Sequence, residues 1–250
     1  MLPRLFLDVH VDEGSRVWVR GEDGHHFSRV LRARPGEVLV ASAVNGPFWA
    51  EIADVRPGEI CLHLRERAPS SEPKRRFVLV QGLAKGEKMD TILQKCTEIG
   101  AWGFVVFEAE RSVVKLSGAA KVEQKLARWR KVVREAAMQA QRDVVPFVVW
   151  APNFPASLAV LAEHEVDHVL VLDEEERECG IRSAMRAHGA GNRTAVVVGP
   201  EGGLASGERR HAKQDARCQT VTLGPRILRT ETAGAVALAI ALAECGDMGG

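Results

Sequence analysis

The sequence predicts an α/β protein built in two parts, and three observations predict it. Residues 4–66 break into short β-segments separated by turn residues. Residues 76–223 alternate continuous apolar strands with amphipathic helices. Between the two patterns lies Ala68-Pro69-Ser70-Ser71-Glu72-Pro73, a polar stretch with two prolines that reads as a linker. The expected domains are therefore 1–71 and 72–250. Continuous apolar strands alternating with helices indicate a parallel sheet covered on both faces.

In the first part, strands are expected at Arg4–Val9, Arg16–Val19, Val38–Ala43, Trp49–Val55 and Glu59–Arg65. Asn45-Gly46-Pro47 marks a tight turn between two of them. Several short strands at this spacing suggest a small barrel. Gly24–Leu31 interrupts them with a helical pattern, with Asp23 placed as its cap. In the second part, Arg76–Gln81 is an apolar strand. Glu87–Ile99 is an amphipathic helix carrying Met89, Ile92, Leu93, Cys96 and Ile99 on one side. Further strands are expected at Phe104–Phe107, Phe147–Trp150, His168–Leu172, Thr194–Gly199 and Gln219–Leu223, with helical segments near 155–164, 206–215 and 231–245. A long helix spans roughly Ala120–Arg142. Leu126, Trp129, Val133 and Ala137 form its buried stripe, and Lys121, Lys125, Arg128, Lys131 and Arg134 lie on its outer faces.

The net charge of +1 hides an asymmetry: residues 1–71 carry −1, residues 72–150 carry +6 and residues 151–250 carry −4. A basic middle third is the electrostatic footprint of a polyanion partner, or simply a solvated helix face. The longest apolar run, Ala233–Ala243, has eleven residues and includes Gly234. About 20 are needed to span a bilayer, so no membrane segment is expected. No secretory signal is expected at the N-terminus. Five cysteines at 61, 96, 179, 218 and 245 are odd in number and scattered, which argues against a disulfide framework or a zinc ribbon and for a reducing, cytoplasmic setting. His164 and His168 have helical i, i+4 spacing but no evident third ligand, so they read as a surface pair and no metal is expected. Trp102, Trp129 and Trp150 read as core residues rather than stacking platforms.

Two segments carry the chemistry. Val196-Val197-Val198-Gly199-Pro200-Glu201-Gly202-Gly203-Leu204 is a strand running into a glycine-rich loop, with a helix beginning near Ser206. It is neither a P-loop nor a dinucleotide fingerprint, which disfavours an NAD-binding enzyme. Leu223-Gly224-Pro225-Arg226-Ile227-Leu228-Arg229-Thr230-Glu231-Thr232-Ala233 is a second strand–loop–helix, with Thr230 or Glu231 placed to cap the helix. Two such loops following strands of one sheet suggest a shared ligand pocket. A third loop, Leu170-Val171-Leu172-Asp173-Glu174-Glu175-Glu176, ends its strand in an acidic run.

Gly199-Pro200-Glu201-Gly202-Gly203 with Glu208, then Leu223-Gly224 with Ile227-Leu228-Arg229-Thr230-Glu231-Thr232-Ala233, resemble the RsmE family of SPOUT-superfamily RNA methyltransferases. The likeness covers nearly the whole chain. His25-His26 with Val30-Leu31-Arg32 resembles the family's signature in a PUA-like barrel. Lys85-Gly86-Glu87-Lys88-Met89-Asp90, Lys95-Cys96-Thr97-Glu98-Ile99-Gly100 and Glu135-Ala136-Ala137-Met138-Gln139-Ala140-Gln141-Arg142 resemble its middle blocks. The resemblance implies an N-terminal PUA-like β-barrel that binds RNA and a C-terminal SPOUT α/β domain with a deep trefoil knot. It implies a homodimer, S-adenosyl-L-methionine (SAM) as cofactor, and methylation of uridine N3 in small-subunit (16S) rRNA, expected at position 1498.

Carried onto this sequence, the resemblance places SAM against Leu172, Gly199, Pro200, Glu201, Gly202, Gly203, Leu223, Gly224, Ile227, Leu228, Thr232 and Ala233. Arg229 is the candidate for stabilising a developing uracil anion. Glu201 and Glu231 are candidates for accepting the N3 proton, or alternatively for capping and orienting a loop. Arg32, Lys85, Lys88, Arg142 and the basic helix are candidate RNA contacts. His25 and His26 are candidates for RNA contact or for barrel-to-domain packing, and Glu98 and Gln139 for packing or interdomain contact. The competing readings are a SPOUT methyltransferase acting on another RNA or atom, such as a ribose 2′-O, and a non-catalytic RNA-binding ribosome assembly factor.

Overall fold

The computed structural model describes residues 2–188 and 193–249. They form two compact units: Met1–Glu72 with Gln141–Val145, and Pro73–Ala140 with Pro146–Gly250.

The first unit is a five-stranded curled sheet. Its strands are β1 (Arg4–Leu7), β2 (Arg16–Val19), β3 (Val38–Ala43), β4 (Gly46–Arg56) and β5 (Glu59–Arg67), in the order β1-β3-β4-β5-β2. β1 runs parallel to β3, and the other pairs are antiparallel. Register shifts between β4 and β5 bend the sheet around a core that includes Leu5, Phe27, Leu39, Phe48 and Leu62. Among the described residues β1 and β2 end the ladder, so the expected barrel is a half-barrel. The Asn45 side chain fastens the β3–β4 turn by exchanging hydrogen bonds with the Val11 backbone at 3.2 and 2.8 Å.

The helical interruption starts earlier than its pattern suggested. Helix α1 spans Gly21–His25 and passes into a π turn over His26–Val30. Asp23 therefore lies inside the first turn, and Arg20 occupies the N-cap position. Gly24 fixes the placement, because a Cβ there would come within 2.6 Å of Val19 O and 2.7 Å of Gly58 O.

The stretch that read as a linker is instead anchored to Gln141–Val145. Asp143 accepts hydrogen bonds from Ser70 Oγ at 2.9 Å and Ser71 N at 2.6 Å, and it forms a buried ion pair with Arg4. Glu72 receives the Arg142 guanidinium at 2.5 Å and the Asp143 N–H at 2.8 Å. A short polar segment can thus be ordered by charge where it buries little apolar surface.

The second unit is a six-stranded, fully parallel sheet. Its strands are β6 (Arg76–Gly82), β7 (Gly103–Phe107), β8 (Phe147–Ala151), β9 (His168–Leu172), β10 (Arg193–Val198) and β11 (Cys218–Val221), in the order β11-β9-β10-β6-β7-β8. Phe77, Val78, Leu79 and Val80 are all fully buried, so both faces are covered, as the unbroken apolar run requires. Each such side chain contributes roughly 1.5–3 kcal/mol of burial. The helices are α2 (Lys88–Ile99), α3 (Ala119–Gln139), α4 (Phe154–Glu163), α5 (Ile181–His188), α6 (Ser206–Gln214) and α7 (Thr230–Glu244). Helix α3 buries Leu126, Trp129, Val133 and Ala137, the stripe its spacing predicts. Its outer charges are partly spent on neighbours: Arg128 pairs with Asp90, and Arg130 with Glu123 at 2.9 Å.

Helix α5 is an addition to the expected elements. The segment leading into it runs beside the chain that follows β11: Thr222 N–H donates to Cys179 O at 2.8 Å, and Ile181 N–H donates to Thr222 O at 3.1 Å. His168 is a buried residue of β9 and His164 stacks on Phe147 with ring centroids 4.2 Å apart, so the two are not a surface pair. Trp129 is buried, whereas Trp102 is half-buried beneath the Arg76 and Arg193 guanidiniums.

Candidate cofactor site at the carboxyl ends of the parallel strands

β9, β10 and β11 end side by side, and the three loops that leave them enclose a cavity of about 690 Å³. Its walls are Leu172–Glu174, Val198–Leu204 and Val221–Thr230, closed by Lys88, Arg177 and Ala233. Open α/β sheets bind ligands at this end, where strand order reverses. All the expected cofactor residues line it except Thr232, which is exposed on the first turn of α7 and forms no part of the wall.

Glycine is what lets the walls close up. A Cβ on Gly199 would come within 2.9 Å of Gly203 C, and one on Gly203 within 2.7 Å of Glu174 Oε1. Gly203 also has φ +67°, a conformation that a side chain disfavours. The loop turns back on itself through a 2.9 Å bond from Gly203 N to Pro200 O. Behind it, the Glu208 carboxylate accepts from Ala205 N at 2.7 Å and Glu110 N at 3.0 Å. On the opposite wall Ile227 is 85% exposed, so the cavity mouth offers an apolar side chain to solvent.

Three sequence candidates converge on one ion cluster. Lys88 lies 3.2 Å from Glu201 and 3.3 Å from Glu231, and the Lys85 N–H donates to Glu201 at 3.2 Å. Burial alone would raise the Glu201 carboxyl. The N–H groups of Glu201 and Lys85 and the Lys88 ammonium outweigh it, and the group falls below the usual carboxylate range. The hydrogen bond to Glu201 raises Lys88 against the opposing effect of burial, with Glu231 adding to the rise. Lys88 is therefore spent on two carboxylates. Glu201 is a poor proton acceptor, because its anion is already stabilised. Arg229 is exposed on the cavity wall, at the N-cap of α7. Neither Thr230 nor Glu231 caps that helix, and the Thr230 hydroxyl instead donates to Gly199 O at 2.7 Å.

The remaining candidates divide between the units. Lys85 is exposed in the second unit, and Glu98 there pairs with Lys95 at 3.1 Å. In the first unit Arg32 is exposed with φ +52°, His25 is exposed, and His26 is half-buried with its ring edge-on to Phe27. Arg142 is only 4% exposed and committed to Glu72, so its guanidinium is not offered to RNA. Burial of an unpaired guanidinium would cost several kcal/mol, which is why the pair stays closed. Sequence reasoning missed the carboxylate work of Glu208.

A parallel α/β sheet carrying a glycine-walled cavity on three loops at its carboxyl ends defines the class, an α/β domain built to hold a nucleotide-like cofactor. The family model described as an RNA methyltransferase domain matches residues 71–242. Ribosomal RNA small subunit methyltransferase E of Bacillus subtilis is 36% identical over 248 residues, covering 95% of this chain and 94% of the relative. Its namesake in Mycobacterium tuberculosis is 37% identical over 237 residues, covering 93% and 88%. The crystal structure of the Neisseria gonorrhoeae protein of that name, bound to S-adenosyl methionine, superposes with a TM-score of 0.78 at 27% identity, covering 96% of each chain. The chain belongs to the ribosomal RNA small subunit methyltransferase E family. Among the described residues no helix is long and apolar enough to cross a membrane, and no group of three or more His, Cys, Asp or Glu side chains could hold a metal ion.

Proposed function

We propose that this protein methylates N3 of a uridine in small-subunit (16S) rRNA, at position 1498, using SAM. We read it as a cytoplasmic homodimer whose first unit is a PUA-like RNA-binding module. The observation that carries the reading is the glycine-walled cavity with an exposed arginine on its wall. The residues fit SAM. Leu172, Leu223, Ile227 and Leu228 supply apolar surface for an adenine. Backbone groups at Leu172, Gly199, Leu223, Ile227 and Leu228 would read its edge, with the glycines letting that backbone approach.

When bound, SAM supplies an electrophilic methyl group. The chain's own task is to position the base and to stabilise the charge that appears when N3 loses its proton. Arg229, exposed on the cavity wall, is the candidate for that role: a guanidinium near O2 or O4 would stabilise the uracil anion. Glu201, held ionised, serves better as the anchor of Lys88 than as the base. Lys88 and Glu231 complete a clasp that joins the start of α2 to the Val198–Leu204 wall and to the first turn of α7. Lys85, Arg32, His25 and the exposed Lys121 and Lys131 of the basic helix α3 are left as candidates for RNA contact, and the target base must be unstacked to enter.

The test is transfer of labelled methyl from SAM to small ribosomal subunits from a strain lacking this enzyme, with naked rRNA in parallel and the product mapped by nucleoside mass spectrometry. 3-Methyluridine is the expected product. A different methylated nucleoside would sink the N3 assignment and keep the methyltransferase reading. SAM binding without transfer to either substrate would sink the choice of rRNA, and no SAM binding would leave a non-catalytic RNA-binding factor.

A further inference from the structure

We infer that Gln81 is a positioning residue for the cofactor cavity, its amide stapling the roots of two cavity walls to the central strand β6. The inference rests on the SAM reading of that cavity. Gln81 ends an otherwise apolar run and is fully buried. A buried amide costs free energy unless it is hydrogen-bonded. Its Nε2 donates to Gly82 O at 2.9 Å and to Thr230 Oγ1 at 2.9 Å, and it lies 3.4 Å from Gly199 O. The Thr230 hydroxyl passes the chain on, donating to Gly199 O at 2.7 Å.

The two partners are where the walls begin and end. Gly199 is the first residue after β10 in the Val198–Leu204 wall, and Thr230 ends the Val221–Thr230 wall. Gln81 itself lines no part of the cavity. The amide orientation follows from chemistry, since Gly82 O and Gly199 O only accept and the nitrogen must face them. The cost of that choice is visible: Gln81 Oε1 is buried with no hydrogen-bond partner among the described residues. A second observation points the same way. A Cβ on Gly82 would lie 2.6 Å from the Pro200 ring, so β6 meets this loop backbone to backbone as well. The staple therefore pre-sets the separation of two walls that a ligand must bridge, and pre-organisation of this kind appears as affinity.

The test uses the full chain in three variants: Gln81→Met, which keeps the volume and removes the donors; Thr230→Val, which removes the hydroxyl; and Thr230→Ser, which restores it. SAM binding is measured by calorimetry, the folding midpoint by thermal melting, and KM for SAM and for rRNA separately. Gln81→Met and Thr230→Val are each expected to weaken SAM binding about tenfold or more, the loss that follows from leaving a buried acceptor unpaired. Thr230→Ser should stay within about threefold of the original protein, and KM for rRNA should not move. SAM binding unchanged in Gln81→Met and Thr230→Val, with only the melting temperature lowered, would overturn the inference. So would Thr230→Ser losing as much as Thr230→Val. If Gln81→Met does not fold, the two Thr230 variants carry the test. Failure of the unsubstituted protein to bind SAM would instead overturn the cofactor reading on which this inference stands.

Discussion

Two charge clusters of this chain both set cations against carboxylates and do opposite things. In the first unit, Arg4 and Glu72 hold Asp143 and Arg142, which belong to a segment drawn from far along the chain, and Arg4 and Asp143 are 9% and 5% exposed. In the second unit, Lys88, Glu201 and Glu231 stand at a cavity, with side chains 25–31% exposed. A buried pair is expensive to break, because the surviving charge stays in a low dielectric, whereas a part-exposed pair is screened and worth little on its own. The first cluster therefore locks a segment in place. The second can hold loops while leaving them able to admit a ligand.

The largest expected effect breaks the buried cluster. Asp143→Ala leaves the Arg4 guanidinium buried and removes the acceptor for Ser70 and Ser71. The expected loss is about 3–5 kcal/mol of stability, read from urea unfolding, with SAM affinity unchanged in the protein that remains folded. A loss below 1 kcal/mol would mean that the cluster is solvated and that the contrast between the two regions does not hold.

Next in size is Arg229→Ala, which tests the cavity by chemistry rather than stability. Removing one donor to a developing oxyanion costs about 10²–10³-fold in turnover. The expectation is that fall in kcat, SAM binding within about threefold, and an unchanged melting temperature, because Arg229 is exposed. A large fall in SAM affinity with kcat preserved would move Arg229 from catalysis to cofactor binding.

Smaller again is Gly203→Ala. Its Cβ would meet Glu174 Oε1, and its φ of +67° disfavours a side chain. A cost of about 1–2 kcal/mol is expected, falling on SAM binding as much as on stability, because this loop is itself a wall. Calorimetry of SAM binding would separate the two, and unaltered binding would show that the wall adjusts freely.

The same contrast explains what could be read in advance. The parallel sheet was legible because strands such as Phe77–Val80 are buried on both faces and have no polar alternation to confuse. The glycine loops were legible because few other residues permit such close backbone approach. What escaped depends on partners distant in sequence. Arg142 reads as a free cation until Glu72 is seen beside it, and Lys88 reads as an RNA contact until Glu201 and Glu231 converge on it. Helix α5 escaped because its approach is an acidic run that resembles a solvated loop. The N-cap reading of Thr230 failed for a related reason: its hydroxyl found a better partner in Gly199 O, across the sheet, than its own helix offered.

The smallest expected effect isolates the cavity cluster by pH. Glu201 sits below the usual carboxylate range, so its contribution to stability is present above the unfolded-state value, near 4.5, and is lost as pH falls through the lower folded-state value. Glu201→Gln removes that dependence, so the variant should lose less stability than the original protein as pH is lowered below about 4.5. At neutral pH the melting temperature should change by no more than about 2 °C, the scale of a part-exposed pair. Melting curves at several pH values check it. An equal acid slope in the two proteins would mean that Glu201 is not stabilised as an anion. It would then return as a candidate for the group that takes the N3 proton.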